Sequence, residues 1–147
     1  MKFSFGSKSK MGQKKTILFV CVENAGRSQM AEGFFRKYAT EEYEPISAGT
    51  KPISQINPIV FQAMDEVGVD IRQQKPKDIT EDMMRNFTKI INMGCMDKSF
   101  CPTLFIPNLI DWGIEDPKGK PIEQVREIRE DIEQRIKQLV TDLPKDN

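Results

Sequence analysis

The chain contains no histidine. That absence removes Ser–His and Cys–His nucleophile pairs and every imidazole metal ligand, so a general acid has to be a carboxyl, Lys or Tyr. A nucleophile would need activation by the electrostatics of its own loop. Cysteine is scarce, three in 147 residues, an odd number whose spacings do not match a secreted disulfide framework. No apolar run approaches the ~20 residues that span a bilayer. An excess of one charge is missing as well. Lys+Arg and Asp+Glu stand at 22 each, which argues against a nucleic-acid groove or an anionic membrane surface as partner. The first fifteen residues carry five Lys and no acid, but lack the continuous apolar stretch of a signal peptide. They read as a disordered basic tail, with Met11 a candidate start. A cytoplasmic protein is expected.

What remains is enough for one domain, placed at residues 16–142, with 143–147 a short C-terminal tail. Thr16–Val22 reads as a buried strand. From Ser28, the apolar positions Met30, Ala31, Phe34, Phe35 and Tyr38 have the spacing of a helix packed on a sheet. Tyr43–Ala48 suggests an edge strand, because Pro45 is tolerated only there. Asn57-Pro58 is a helix start, followed by Val60, Phe61, Met64 and Val67 on one face, with Gly68 as stop. Thr80 caps a short helix at 81–85; Thr88–Met93 is a third strand, and a fourth falls near 108–111. Pro121 opens a final helix with an apolar stripe from Ile122 to Leu139 and i,i+4 pairs Asp131–Arg135 and Glu133–Lys137. This alternation predicts an α/β domain: a doubly wound, mostly parallel four-stranded sheet with helices on both faces. Ligands of such sheets bind beyond the carboxyl ends of the strands. Cys21 and Cys95 follow two of those ends.

The chemistry concentrates in Cys21-Val-Glu23-Asn24-Ala25-Gly26-Arg27-Ser28. A Cys-x5-Arg-Ser loop between a strand and a helix can wrap its backbone amides (Glu23 to Ser28) around a tetrahedral oxyanion and aim a thiolate at the central atom. The helix N-terminus favours the thiolate form, and Arg27 adds a planar fork able to hold two oxygens. A second cluster, Gly94-Cys95 to Cys101-Pro102, places two thiols six positions apart. With no His and one further Cys, it lacks the ligands of a zinc site, and no metal is expected. Two unrelated buried cysteines, or a relay exchanging disulfides with Cys21, both suit that spacing. Asp116-Pro117 offers a carboxyl on a restricted backbone, either a general acid or a turn residue, with Glu115 and Asp111 as nearby rivals.

Taken in order, Cys21-x5-Arg27-Ser28, Gln29-Met30-Ala31-Glu32-Gly33, Ser47-Ala48-Gly49, Gly94-Cys95…Cys101-Pro102 and Asp116-Pro117 resemble the thioredoxin-coupled arsenate reductases built on the low-molecular-weight protein tyrosine phosphatase fold. The resemblance covers roughly residues 16 to 142. It implies Cys21 as nucleophile, Arg27 as oxyanion clamp, Asn24 as the residue that shapes the loop, Ser28 as the hydroxyl on the thiolate, and Asp116 as general acid. It further implies Cys95 as the thiol that attacks the arseno-cysteine and Cys101 as the acceptor of the disulfide. Thioredoxin would be the external reductant, arsenate or phosphate the bound oxyanion, and the protein a monomer with no tightly bound cofactor. Glu32 and Ser47 match positions that some members use for a potassium ion. The chain departs from the family at Gly26, where many members carry a second loop Cys, and at Lys118, where phosphatases carry an aromatic residue. Alternatives in other classes are a low-molecular-weight phosphotyrosine phosphatase and a redox-sensing or oxyanion-binding module without turnover.

Overall fold

A computed structural model describes residues 14–94 and 109–145. Cys95 and Cys101, and with them the second thiol cluster, lie outside the described residues, as does most of the basic tail. Four strands form one sheet: β1 (Lys15–Cys21), β2 (Tyr43–Gly49), β3 (Lys89–Asn92) and β4 (Ile110–Asp111). Their order is β2-β1-β3-β4, and every pairing is parallel. The chain moves from β1 outward to β2 and then returns to the other side of β1, so strand order reverses there. Cys21, the last residue of β1, pairs with Gly49 and therefore stands at the carboxyl edge next to that reversal. Pro45 sits in β2, an edge strand, where its missing N–H breaks no inner ladder.

Helices α1 (Arg27–Tyr38), α2 (Pro58–Glu66), α3 (Glu81–Arg85) and α4 (Ile122–Asp142) complete the described elements. Two of their starts follow from local chemistry. Asn57 caps α2 by accepting from Ile59 N at 3.2 Å, with Pro58 at the first helical position, and Thr80 caps α3 by accepting from Met83 N at 3.1 Å.

The sheet's two faces are covered unequally. Ile17 and Phe19 face the main core, shared with Met30, Phe34 and Phe35 of α1, Val60 and Met64 of α2, and Ile128, Ile132 and Ile136 of α4. Leu18 and Val20 face the smaller cluster, where Met83 and Met84 of α3, Ile79, Phe87 and Leu109 pack partly buried. Period-two alternation along β1 feeds both cores, so nearly the whole strand is apolar. Leu143 is buried, and the Tyr43 hydroxyl donates to the carbonyl of Pro144, so the chain just past α4 lies against the body. Among the described residues no helix is long and apolar enough to cross a membrane.

The α4 surface holds one correction. Asp131 and Arg135 pair as the spacing predicts, at 2.9 Å. Glu133, expected beside Lys137, instead accepts from the Tyr38 hydroxyl, while Lys137 Nζ stands 5.2 Å from the Tyr38 ring centre. A tertiary partner on α1 outcompetes the exposed i,i+4 neighbour because α1 and α4 pack side by side. The Tyr38 hydroxyl is pushed up to about 12, first by its hydrogen bond to Glu133 and then by burial.

Helices α2 and α4 are joined through Glu66. Its carboxylate accepts from Arg126 Nη2 at 2.6 Å and from Arg129 Nη1 at 2.7 Å, and Arg129, 6% exposed, also donates to the carbonyl of Ala63 at 2.9 Å. The Arg126 hydrogen bond foremost, and that of Arg129 next, hold the Glu66 carboxyl down to about 2. A carboxyl depressed in the folded state adds stability above its unfolded value and loses it as pH falls towards the folded one. Glu66→Gln should therefore lower the thermal midpoint at pH 7. The gap from wild type should close as pH drops from about 4.5 towards about 2. Thermal melts at a series of pH values check this. A gap constant with pH would mean that the Glu66 charge contributes nothing.

Candidate active site

The loop after β1 is shaped by what its carbonyls do. Cys21 O accepts from Thr50 N at 3.1 Å, Val22 O from Lys51 N at 2.8 Å, Glu23 O from Ile53 N at 3.2 Å and Ala25 O from Asn57 N at 2.9 Å. Gln29 Nε2 takes Asn24 O at 2.8 Å, and Met30 N takes Gly26 O at 2.9 Å. Every carbonyl from Cys21 to Gly26 is thereby engaged. The amides of Glu23, Ala25, Gly26, Arg27 and Ser28, by contrast, have no acceptor among the described residues. Donors left over in one concave loop that ends on a helix N-terminus are what a tetrahedral oxyanion requires.

Asn24 holds that shape. It is fully buried at φ 54, the left-handed region that Asn tolerates better than most residues. Its Oδ1 accepts from Lys77 N at 2.9 Å, and its Nδ2 donates to Ser28 Oγ at 2.7 Å. With that acceptor position filled, the Ser28 hydroxyl is free to donate to Cys21 Sγ, 2.8 Å away. Asn24 N donates to the same sulfur at 3.2 Å. Two donors are thus aimed at Sγ of a residue only 2% exposed.

Arg27 is 6% exposed and fixed from one side, since Nη1 donates to the carbonyl of Ile114 at 2.9 Å. Its Nη2 lies 3.7 Å from Asp116 Oδ2, an ion pair too long for a direct hydrogen bond. Asp116 is half-exposed, and its other oxygen accepts from Lys118 N at 3.0 Å, closing an Asx turn. Cys21, Glu23, Ala25, Gly26, Arg27 and Asp116 all line one cleft of ≈ 540 Å³. Of the predicted carboxyl candidates, only Asp116 lines it. Asp111 caps its own turn at Gly113 N, and Glu115 accepts from Gln124. The far wall, Ile53 to Pro58, carried no signal as a site in the sequence, although Asn57-Pro58 marks a helix start there. Gln74 and Lys77, which support Gln29 and Asn24, were equally silent. Gly26 allows the close approach of the opposite wall, because a Cβ there would stand 2.9 Å from Pro117 Cγ.

Glu32 and Ser47 come together beneath the loop, with Ser47 Oγ donating to Glu32 Oε1 at 2.6 Å. Arg36 Nη2 donates to Oε2 at 2.9 Å, and Lys77 Nζ stands 3.9 Å from Oε1. This arrangement does not fit a resident potassium ion. The carboxylate already faces two cations, and the Lys77 ammonium would repel a third.

Gly94, just past β3, lies against the Arg27 guanidinium. A Cβ there would run into Arg27 Nη1 and stand 3.1 Å from the carbonyl of Ile114. Gly94→Ala should dislodge the guanidinium from Ile114 while leaving the core intact. Losing a charge-assisted clamp predicts a roughly 10- to 100-fold weaker affinity for phosphate. Titration calorimetry beside circular dichroism checks this. Wild-type phosphate affinity in the variant would remove Gly94 from the site.

The chain has clear relatives. Residues 16–147 match the family model described as low molecular weight phosphotyrosine protein phosphatase. An arsenate reductase of Brevibacillus brevis is 37% identical over 130 residues, covering 88% of this chain and 96% of that protein. A solved thioredoxin-dependent arsenate reductase of Corynebacterium glutamicum is 35% identical with a TM-score of 0.71, covering 90% of this chain and 69% of that one. A structure of an arsenate reductase in the phosphate-binding state superposes with a TM-score of 0.76 at 29% identity, covering 88% and 99%. A thiol held by two donors, a loop of amides without acceptors among the described residues and this matched length together place the chain in the low molecular weight phosphotyrosine protein phosphatase family, among its arsenate reductases.

Proposed function

We propose that the protein reduces arsenate to arsenite, with thioredoxin as the electron donor. The observation that carries this reading is the Cys21–Arg27–Asp116 cleft in a chain that matches arsenate reductases over nearly their full length. The Cys21 thiolate attacks As(V) while Arg27 and the loop amides hold the other oxygens. Asp116 protonates the departing oxygen, which leaves as water. The Cys95 thiolate then attacks Cys21 Sγ, and the electron pair of the S–As bond stays on arsenic, which leaves as arsenite. Cys101 attacks Cys95, freeing Cys21, and thioredoxin reduces the Cys95–Cys101 disulfide. Arsenate and a dithiol thus give arsenite, a disulfide and water. One chain supplies every residue, so a monomer suffices. Support for the relay comes from Gly94. It lies against Arg27 and so brings the chain leading to Cys95 to the edge where Cys21 sits.

Arsenate-dependent oxidation of NADPH, coupled through thioredoxin and thioredoxin reductase, tests the reading directly. Cys21→Ser should abolish it. Cys95→Ser should stop arsenite release, and Cys101→Ser should allow one turnover and trap a Cys21–Cys95 disulfide visible by peptide mass mapping. Sulfurs that bond at about 2 Å must come together for this. Multi-turnover reduction by both single variants would rule out the relay.

A further inference from the structure

Glu23 presents a problem that the oxyanion loop must solve. It places a carboxylate in the same cleft as Cys21 and Arg27, where a multiply charged anion has to bind. A like charge at that range weakens anion binding unless it is neutralised. Lys118 supplies the neutralisation from the opposite wall, its Nζ standing 3.0 Å from Glu23 Oε2. Glu23 raises the Lys118 ammonium above the usual lysine value, chiefly through this hydrogen bond, and the field of Asp116 adds to it.

The same pair governs where Asp116 sits. The 116–120 turn is self-contained, with Lys118 N on Asp116 Oδ1 at 3.0 Å and Lys120 N on Pro117 O at 3.1 Å. Its ion pair to Arg27 is long, at 3.7 Å. Among the described residues, Lys118 Nζ to Glu23 is the one hydrogen bond between the 116–120 turn and the oxyanion loop.

We propose that Glu23 and Lys118 are positioning residues forming a clasp across the cleft. The clasp cancels the Glu23 charge before the oxyanion arrives and holds the Asp116 turn over Cys21. Both side chains reach solvent, 29% and 65% exposed, so the effect is moderate and screened by salt. The inference rests on the roles given above to Cys21, Arg27 and Asp116.

The test uses the full chain with Lys118→Met, Glu23→Gln and the double variant. Inorganic phosphate is the probe, read as protection of Cys21 against iodoacetamide by mass mapping of its peptide. Lys118→Met should weaken phosphate about three- to tenfold, because Glu23 is left unbalanced. Glu23→Gln should strengthen it, because the ammonium then faces the anion alone. The double variant should return to within about twofold of wild type. The Lys118→Met deficit should shrink at ~0.5 M salt. Arsenate kcat should fall in all three, since none keeps the Asp116 turn anchored. Unchanged phosphate affinity in Lys118→Met, or a double variant as weak as Lys118→Met, would overturn the clasp. So would parallel losses of affinity, kcat and thermal midpoint in all three variants, the pattern of a fold staple. The phosphate arm needs no arsenate chemistry. A chain inert towards arsenate that still followed this order would sink the reductase reading and leave the clasp standing.

Discussion

Asn24 is the residue on which the site depends. Four bonds meet on it: its Oδ1 with Lys77 N, its Nδ2 with Ser28 Oγ, its carbonyl with Gln29 and its amide with Cys21 Sγ. Fully buried in a left-handed conformation, it turns a loop whose carbonyls from Cys21 to Gly26 are all paired, while the amides of Glu23 and of Ala25 to Ser28 have no acceptor among the described residues. An unpaired amide in such a place would cost a kilocalorie or more without a ligand. The loop is tolerable because the cleft is open to water and because every carbonyl from Cys21 to Gly26 is paired elsewhere. The proposed anion site therefore rests on the accounting of backbone acceptors as much as on the positive charge of Arg27.

That positive charge is itself held by neutral groups. Ile114 O fixes one nitrogen of Arg27 and Gly94 leaves room for it, while Asp116 stands at ion-pair distance. Three segments far apart in sequence meet on a single guanidinium because β1, β3 and β4 are parallel neighbours whose carboxyl ends share one edge. The topology delivers the residues, and local turns aim them. The Asx turn at Asp116 and the contact of Gly26 with Pro117 set the height of the second wall over the loop.

Stability and chemistry are kept apart in this fold. The Glu66–Arg126–Arg129 junction ties α2 to α4 through the buried Arg129 and the partly exposed Glu66 and Arg126, none of which line the cleft. Glu32, by contrast, lies under the oxyanion loop, and its charge is met by Arg36 and Lys77. Lys77 thus does two things: its backbone supports Asn24 and its ammonium balances Glu32. A residue chosen for both leaves little room for a bound cation at the same carboxylate.

Much of this was legible in the sequence. The strand–loop–helix around Cys21, the caps at Asn57 and Thr80, and the edge position of Pro45 each follow from chemistry within a few residues. Asp116-Pro117 marked a carboxyl on a stiff backbone, but its two rivals were separated from it only by which of them lines the cleft. Glu133 went to Tyr38 rather than Lys137 because a packed neighbour displaced a sequence neighbour. The tertiary structure alone decided that Ile114 clamps Arg27, that Lys77 and Gln74 brace the loop, and that Lys118 crosses to Glu23. The physical reason is range. Helix caps and strand alternation are set by neighbours along the chain, whereas these contacts join residues from 45 to 95 positions apart and exist only once the parallel sheet has gathered its loops at one edge.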